Sequence, residues 1–229
     1  GHKILADVPT DTYNRYFSEA VEKWSYMKFP YLKHLGREKG WNRVGPLSRL
    51  NVCDFIPTRL AEQARRRLLQ YTGRKVNNHT LYTHWARLIE MLHCAEVVRD
   101  LLHDPDIFSD DLRRTGKPRL EGIGIIEAPR GTLTHHYEVD DKGMITRCNL
   151  IVSTTHNNEA MNRAVRWVAQ DALSHQPEIT EGMLNRVEVA IRAYDPCLSC
   201  ATHALGKMPL RAELYDHEGQ CLQTLYRHA

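Results

Sequence analysis

Apolar residues recur at three- and four-residue spacing through residues 10–34, where Tyr13, Tyr16, Phe17, Ala20, Val21 and Trp24 share one face. The spacing predicts an amphipathic helix, capped by Thr10 or Asp11 and interrupted at Pro30. Gly36, Gly40 and Gly45-Pro46 read as a loop. A second helix is expected over 57–71, with Arg65, Arg66 and Arg67 on its solvated face. A long third helix is expected over 79–103, its stripe being Leu81, Trp85, Leu88, Ile89, Leu92 and Ala95. Residues 102–117 are polar and read as a surface loop. The period then changes from helical to alternating. Residues 122–127 read as a short buried strand, and 133–139 and 144–152 as the arms of a hairpin around Asp140-Asp141-Lys142-Gly143. Two more helices are expected over 158–173 and 180–193, the second capped by Thr180 and stopped by Asp195-Pro196. The predicted class is α+β and mainly helical: a helix-bundle core with a small antiparallel β element.

Composition narrows the function classes. The chain has 229 residues, 42% hydrophobic and 26% charged, the balance of a globular protein able to bury a sizeable core. A net charge of +3 with no long basic run gives no indication of nucleic-acid binding. No apolar run approaches the roughly 18 residues a membrane-spanning helix needs, and no secretory signal opens the chain. Six cysteines are too sparse for a disulfide scaffold. The chain opens Gly1-His2-Lys3 without Met, and Lys3–Val8 reads as a strand already under way, so a fragment of a longer protein is expected.

The chemistry gathers near the C-terminus. Cys197 and Cys200 form a C-x-x-C within Asp195-Pro196-Cys197-Leu198-Ser199-Cys200-Ala201-Thr202-His203. Two soft thiolates at this spacing can chelate one metal or share one between two. A redox dithiol, a structural disulfide and half of a zinc site with His203 are the other readings. The dithiol is disfavoured because the pair follows a helix and a Pro break. Zinc lacks a second C-x-x-C, since Cys53, Cys94, Cys148 and Cys221 are isolated.

The nine-residue segment resembles the C-terminal signature of nickel–iron hydrogenase large subunits, D-P-C-x-x-C-x-x-H. Glu127-Ala128-Pro129-Arg130-Gly131-Thr132-Leu133-Thr134-His135 resembles the E-A-P-R-G-x-L-x-H of that family. Val152-Ser153-Thr154-Thr155-His156-Asn157 occupies the place of its V-P-[ST]-T-x-N, with Ser153 and His156 where many relatives have Pro and Trp. Trp24–Pro30 and Arg43-Val44-Gly45-Pro46-Leu47 look most like the soluble, bidirectional, NAD-reducing group.

The resemblance implies a nickel–iron centre with cyanide and carbon monoxide on iron. Cys197 would be a terminal nickel ligand and Cys200 a bridging one. The remaining thiolates of the family come from an R-x-C-x-x-C that this chain lacks. Arg130 would lie beside the metals, carried by the small β element, and polarise hydrogen first and act as a base second. Thr154 would hydrogen-bond a cyanide, and Pro129 and Ser153 would line the pocket with backbone. Asp195 would accept from Arg side chains near the site, and a plain helix-terminating Asp-Pro is an equally consistent reading. His203 would hold magnesium with the carbonyl of Leu150, while His135 would be a hydrogen-bonded structural residue.

The resemblance further implies that residues 1–203 are the C-terminal part of the catalytic domain. Residues 204–229 would be an extension that a maturation endopeptidase removes between His203 and Ala204. The same segment also reads as a plain hairpin around Asp216–Gly219. The implied partners are a small subunit with iron–sulfur clusters and NAD-linked diaphorase subunits, in the cytoplasm. The competing function is a non-catalytic zinc protein using Cys197, Cys200 and His203. A related quinone-oxidoreductase subunit is argued against by the retained cysteines.

Overall fold

The computed structural model describes residues 8–174, 176, 178–198 and 210–227. Cys200, His203 and Ala204, and with them the expected bridging ligand, magnesium ligand and cleavage point, lie outside the described residues.

The N-terminal pattern does not make the long helix expected over 10–34. A 3-10 turn and a single α-turn, α1 (Tyr13–Tyr16), give way to two short antiparallel strands, β1 (Phe17–Ala20) and β2 (Phe29–Leu32). Tyr13 is buried while Val21 and Trp24 stay exposed, so the apparent stripe does not face one core. Pro30 sits in β2 opposite Glu19, an edge position a residue without N–H tolerates. The predicted loop around Gly36–Pro46 contains a short helix, α2 (Gly36–Lys39), and is followed by α3 (Pro46–Val52). Pro46 opens α3 at its first position, where a missing N–H costs nothing.

The next two helices stand close to where their periodicity put them, as α4 (Arg59–Thr72) and α5 (Tyr82–Leu101). Leu47 and Leu50 of α3, Ala61 and Leu68 of α4, and Ala86 and Ile89 of α5 make one apolar core with Ile56. Two details differ from expectation. On α5, Leu81, Leu88 and Ala95 are exposed while Thr83, Ala86, Ile89 and Glu96 turn inward. On α4, Arg65 is buried rather than solvated, because Glu62 takes its guanidinium at 2.7 and 2.9 Å. That pairing, chiefly with Arg65, holds the Glu62 carboxyl down at about 2. The inward Glu96 accepts the N–H groups of Leu60 and Ala61 at 2.9–3.1 Å. It thereby satisfies the orphan donors that open α4.

A three-stranded antiparallel sheet follows, ordered β3 (Glu121–Ala128), β4 (Gly131–Val139), β5 (Ile145–Ile151). β3 is mostly exposed rather than buried. The turn at Asp140 forms as expected, with the Asp140 carboxylate accepting from the Lys142 and Met144 amides. The N-terminal segment is pinned to this sheet by buried polar bonds. His136 meets the Tyr13 hydroxyl at 3.0 Å and Glu121 at 2.9 Å. Asn149 meets Tyr13 and Glu19, both at 3.1 Å.

Beyond the sheet, α6 (Ser153–Leu173) packs on α7 (Glu181–Arg192). Ala160 and Met161 of α6 join Met27 and Tyr194 in a second small core. α6 starts five residues earlier than its periodicity predicts, because its first turn is polar. Thr180 occupies the N-cap position of α7, but its side chain makes no capping bond. A last antiparallel pair, β6 (Leu210–Tyr215) and β7 (Cys221–Arg227), forms the hairpin read around Asp216–Gly219. Gln223 of β7 grips Ile179 through both its amide atoms, at 3.1 and 3.4 Å. The chain is therefore mixed α/β, with seven α-helices and three small antiparallel sheets among the described residues. Among the described residues no helix is long and apolar enough to cross a membrane.

Candidate functional site

Arg130 owes its position to a two-residue turn. β3 and β4 stay in register up to the Ala128–Gly131 pair, so Pro129 and Arg130 alone make the link. Pro presets the φ such a turn needs at its first position. Gly131 has φ of 133°, and a Cβ there would lie 2.3 Å from the Val44 side chain. Gly45, the next residue along, approaches the same turn; its Cβ would lie 2.9 Å from the Arg130 carbonyl. Only glycines let these two backbones close on each other.

The first turn of α6 packs against that turn and is polar throughout. Ser153, Thr154, Thr155, His156, Asn157 and Asn158 are all at most 4% exposed. Six consecutive buried polar residues are rare in a core and must be partnered. Ser153 Oγ donates to the Gly131 carbonyl at 2.7 Å. Asn157 Oδ1 accepts the Val44 amide at 2.9 Å, and Asn158 reaches the Lys28 carbonyl at 3.3 Å. His156 Nδ1 lies 3.1 Å from Asn42 Nδ2, and its ring meets Phe17 edge-on at 5.7 Å. Its Nε2 and Asn42 Oδ1 are buried without a partner among the described residues. Burial pushes the His156 imidazole down to about 4, so it is neutral at physiological pH.

The third segment arrives after α7. Arg87 donates to the Ala193 carbonyl at 2.9 Å. Asp195 then takes a left-handed φ of 49°, a region Asp tolerates better than most side chains. This bend carries Pro196 and Cys197 back toward α6, where the Cys197 amide donates to Thr154 Oγ1 at 3.0 Å. Arg130 Nε donates to the Asp195 carbonyl at 2.8 Å and lies 3.2 Å from Asp195 Oδ2. Both side chains stay about half exposed, with the guanidinium over the Asp-Pro-Cys bend.

Residues 130, 131, 153, 154, 195 and 197, from three segments far apart in sequence, thus meet at one place. Leu150 does not join this hydrogen-bonded group. It stands on β5 opposite His135, which pairs instead with the Tyr137 hydroxyl at 3.0 Å. Asn157, Gly45, Val44 and Arg49 help build the site and were not singled out by their motifs. The run of polar residues at the start of a helix was the signal available for Asn157.

The donors suit a soft metal. Cys197 brings a soft sulfur donor to the junction, its amide held by Thr154. The Thr154 oxygen already accepts an N–H, which leaves its O–H proton to donate, and no acceptor for it is found among the described residues. Arg130 adds a fixed positive charge suited to anionic ligands.

Residues 3–203 match the family model described as nickel-dependent hydrogenase. The beta subunit of the NAD-reducing hydrogenase HoxS of Cupriavidus necator is 60% identical over 98% of this chain and 46% of its own length. An iron-sulfur subunit of the F420-non-reducing hydrogenase of Archaeoglobus profundus is 43% identical, covering 93% of this chain and 46% of its own. Among solved structures, an NAD+-reducing [NiFe]-hydrogenase in the H2-reduced state superposes with a TM-score of 0.84 at 54% identity, covering 87% of this chain and 44% of that one. The chain spans about half the length of the curated relatives it matches.

Proposed function

We propose that this chain, which belongs to the nickel-dependent hydrogenase family, is part of the catalytic subunit of an enzyme that cleaves and forms H2 reversibly. Its electrons pass to a small subunit with iron–sulfur clusters and on to NAD through diaphorase subunits. The identity to an NAD-reducing relative supports the choice of acceptor. The family match is to nickel-dependent enzymes and lends the zinc reading no support. The observation that carries the proposal is the junction itself. Arg130 bonds across 65 residues to Asp195 and Thr154 across 43 to Cys197, so the three motif segments build one place.

A nickel–iron centre bound there, with cyanide and carbon monoxide on iron, would supply the Lewis-acid and redox chemistry for heterolytic cleavage of H2. Cys197 and Cys200 provide two of its thiolates. Arg130 holds a positive charge where negative charge develops, and its bond to the Asp195 carbonyl fixes the guanidinium without reorganisation during the reaction. The Thr154 hydroxyl keeps one proton for a metal-bound anion, and the backbone at Pro129 and Ser153 walls the pocket. His203 and the Leu150 carbonyl hold a magnesium ion. Residues 204–229 are removed after His203 by a maturation endopeptidase, and the mature protein works in the cytoplasm.

Metal analysis of the purified multisubunit enzyme tests this. Nickel and iron together with H2-dependent NAD reduction are the expected results. Zinc without nickel, and no H2 turnover, would overturn the reading.

A further inference from the structure

The guanidinium of Arg49 is spent completely on one place. Its Nε and Nη2 donate to the two oxygens of Glu90, both at 2.7 Å. Nη1 donates to Glu127 Oε2 and to the Ala128 carbonyl, both at 2.9 Å. Nη2 also donates to the Pro129 carbonyl at 2.9 Å. An arginine has five N–H donors in a rigid fork, and all five are used. Glu90, with Glu127 adding to it, raises the Arg49 pKa against the opposing cost of burial.

The acceptors have an order. Glu90 belongs to α5 and Arg49 to α3, both anchored in the main apolar core. Glu127, Ala128 and Pro129 are the three residues directly before Arg130. A planar ion bolted to the core by Glu90 therefore holds two consecutive carbonyls of the turn on its free edge. The Thr132 hydroxyl, bonded to the other oxygen of Glu127, closes the turn from the far strand. Among the described residues Arg130 itself has one fixed partner, the Asp195 main chain with its carboxylate alongside. Its direction is thus set largely by the backbone that Arg49 grips.

The geometry points to Arg49 as a positioning residue for the hydrogenase reaction, acting through Arg130, with Glu90 as its anchor. This inference rests on the functional reading above. A lysine at position 49 would keep the charge but has three donors on a flexible stem and cannot reproduce the fork.

The test uses the assembled multisubunit enzyme with R49K, E90Q, R130K and the R49K/R130K double variant. Nickel content, kcat and KM for H2 are measured, together with amide hydrogen exchange across residues 127–131. For R49K the expected result is faster exchange over that segment and kcat lowered about tenfold or more, since small misplacements at a reacting site are costly. Nickel content and KM stay near wild type. E90Q falls between the two, and decides the matter if R49K does not fold. In the R130K background R49K costs no more than about twofold further, because its effect runs through a side chain already lost. Unchanged exchange and kcat in R49K, nickel loss, or an equal kcat penalty in both backgrounds would each overturn the inference. If the wild-type enzyme carries no nickel the functional reading falls separately, and hydrogen exchange alone still decides whether Arg49 orders the turn.

Discussion

A single hydroxyl at Thr154 carries two tasks, because it takes the Cys197 amide and keeps a proton to give. Thr154→Val keeps the shape and removes the acceptor. The half-buried Cys197 amide then loses this acceptor, at a cost of up to about 1–3 kcal/mol that denaturant unfolding measures and Thr154→Ser recovers. Arg130 acts by charge and direction. Arg130→Lys keeps the charge but loses the Nε–H that meets the Asp195 carbonyl. H2 oxidation should drop on the order of 100-fold, the usual scale for losing one preorganised donor, at unchanged nickel content. His156 gives a pH signature. Its folded pKa of about 4 lies below the 6.5 of an unfolded His, so the unfolded chain binds the proton more readily. Stability is then full above about pH 6.5 and falls as pH drops toward 4, by about 3 kcal/mol if this group acts alone. His156→Phe should flatten that slope, and a pH series of unfolding free energies checks it. Cys197 and Arg130 stood out in the sequence as candidates because of their motifs, and the fold brings both to the junction with Asp195 and Thr154. Asn42 did not, since an Asn outside any motif becomes informative only when the fold sets it against His156.

α4 and α5 were legible as elements because their apolar positions repeat over several turns. Which face turns inward was less so. Glu96 breaks the apolar pattern of α5 yet faces the core, because the two amides opening α4 need an acceptor there. Glu96→Ala should speed hydrogen exchange at Leu60 and Ala61 before it affects the rest of α4, and lower the melting temperature. Undisturbed exchange at those two amides would contradict the capping role. α3 was hidden by its Gly-Pro start, which resembles a turn until Pro46 is seen at a helix N-terminus. The stretch over 10–34 misled in the opposite direction. Aromatic residues at helical spacing satisfy a strand pair equally well once Pro30 and Asn149 fix the partners. The start of α6 was misplaced because its first turn is buried polar instead of apolar, a consequence of facing the junction of three segments.

At the scale of the molecule, Arg49 and Gly45 tie the Arg130 turn to the segment that opens α3, and Ser153 ties it to the start of α6. The C-terminal hairpin stands apart. Among the described residues, its hydrogen bonds to the body are the two between Gln223 and Ile179. Gln223→Ala should therefore release it, raising protease sensitivity of residues 210–227 while leaving the melting transition of the body nearly unchanged. Mass spectrometry of active enzyme should find a chain ending at His203; residue Ala229 still attached would refute its removal. The Gln223 grip has a further consequence. While the hairpin is tethered, its effective concentration at Ile179 is on the order of mM, so two weak bonds suffice to hold it. One cut in the linker returns the hairpin to its dilute bulk concentration. The same two bonds, with each net contribution only about 1 kcal/mol, cannot then keep it, and hydrolysis of one peptide bond becomes a one-way step.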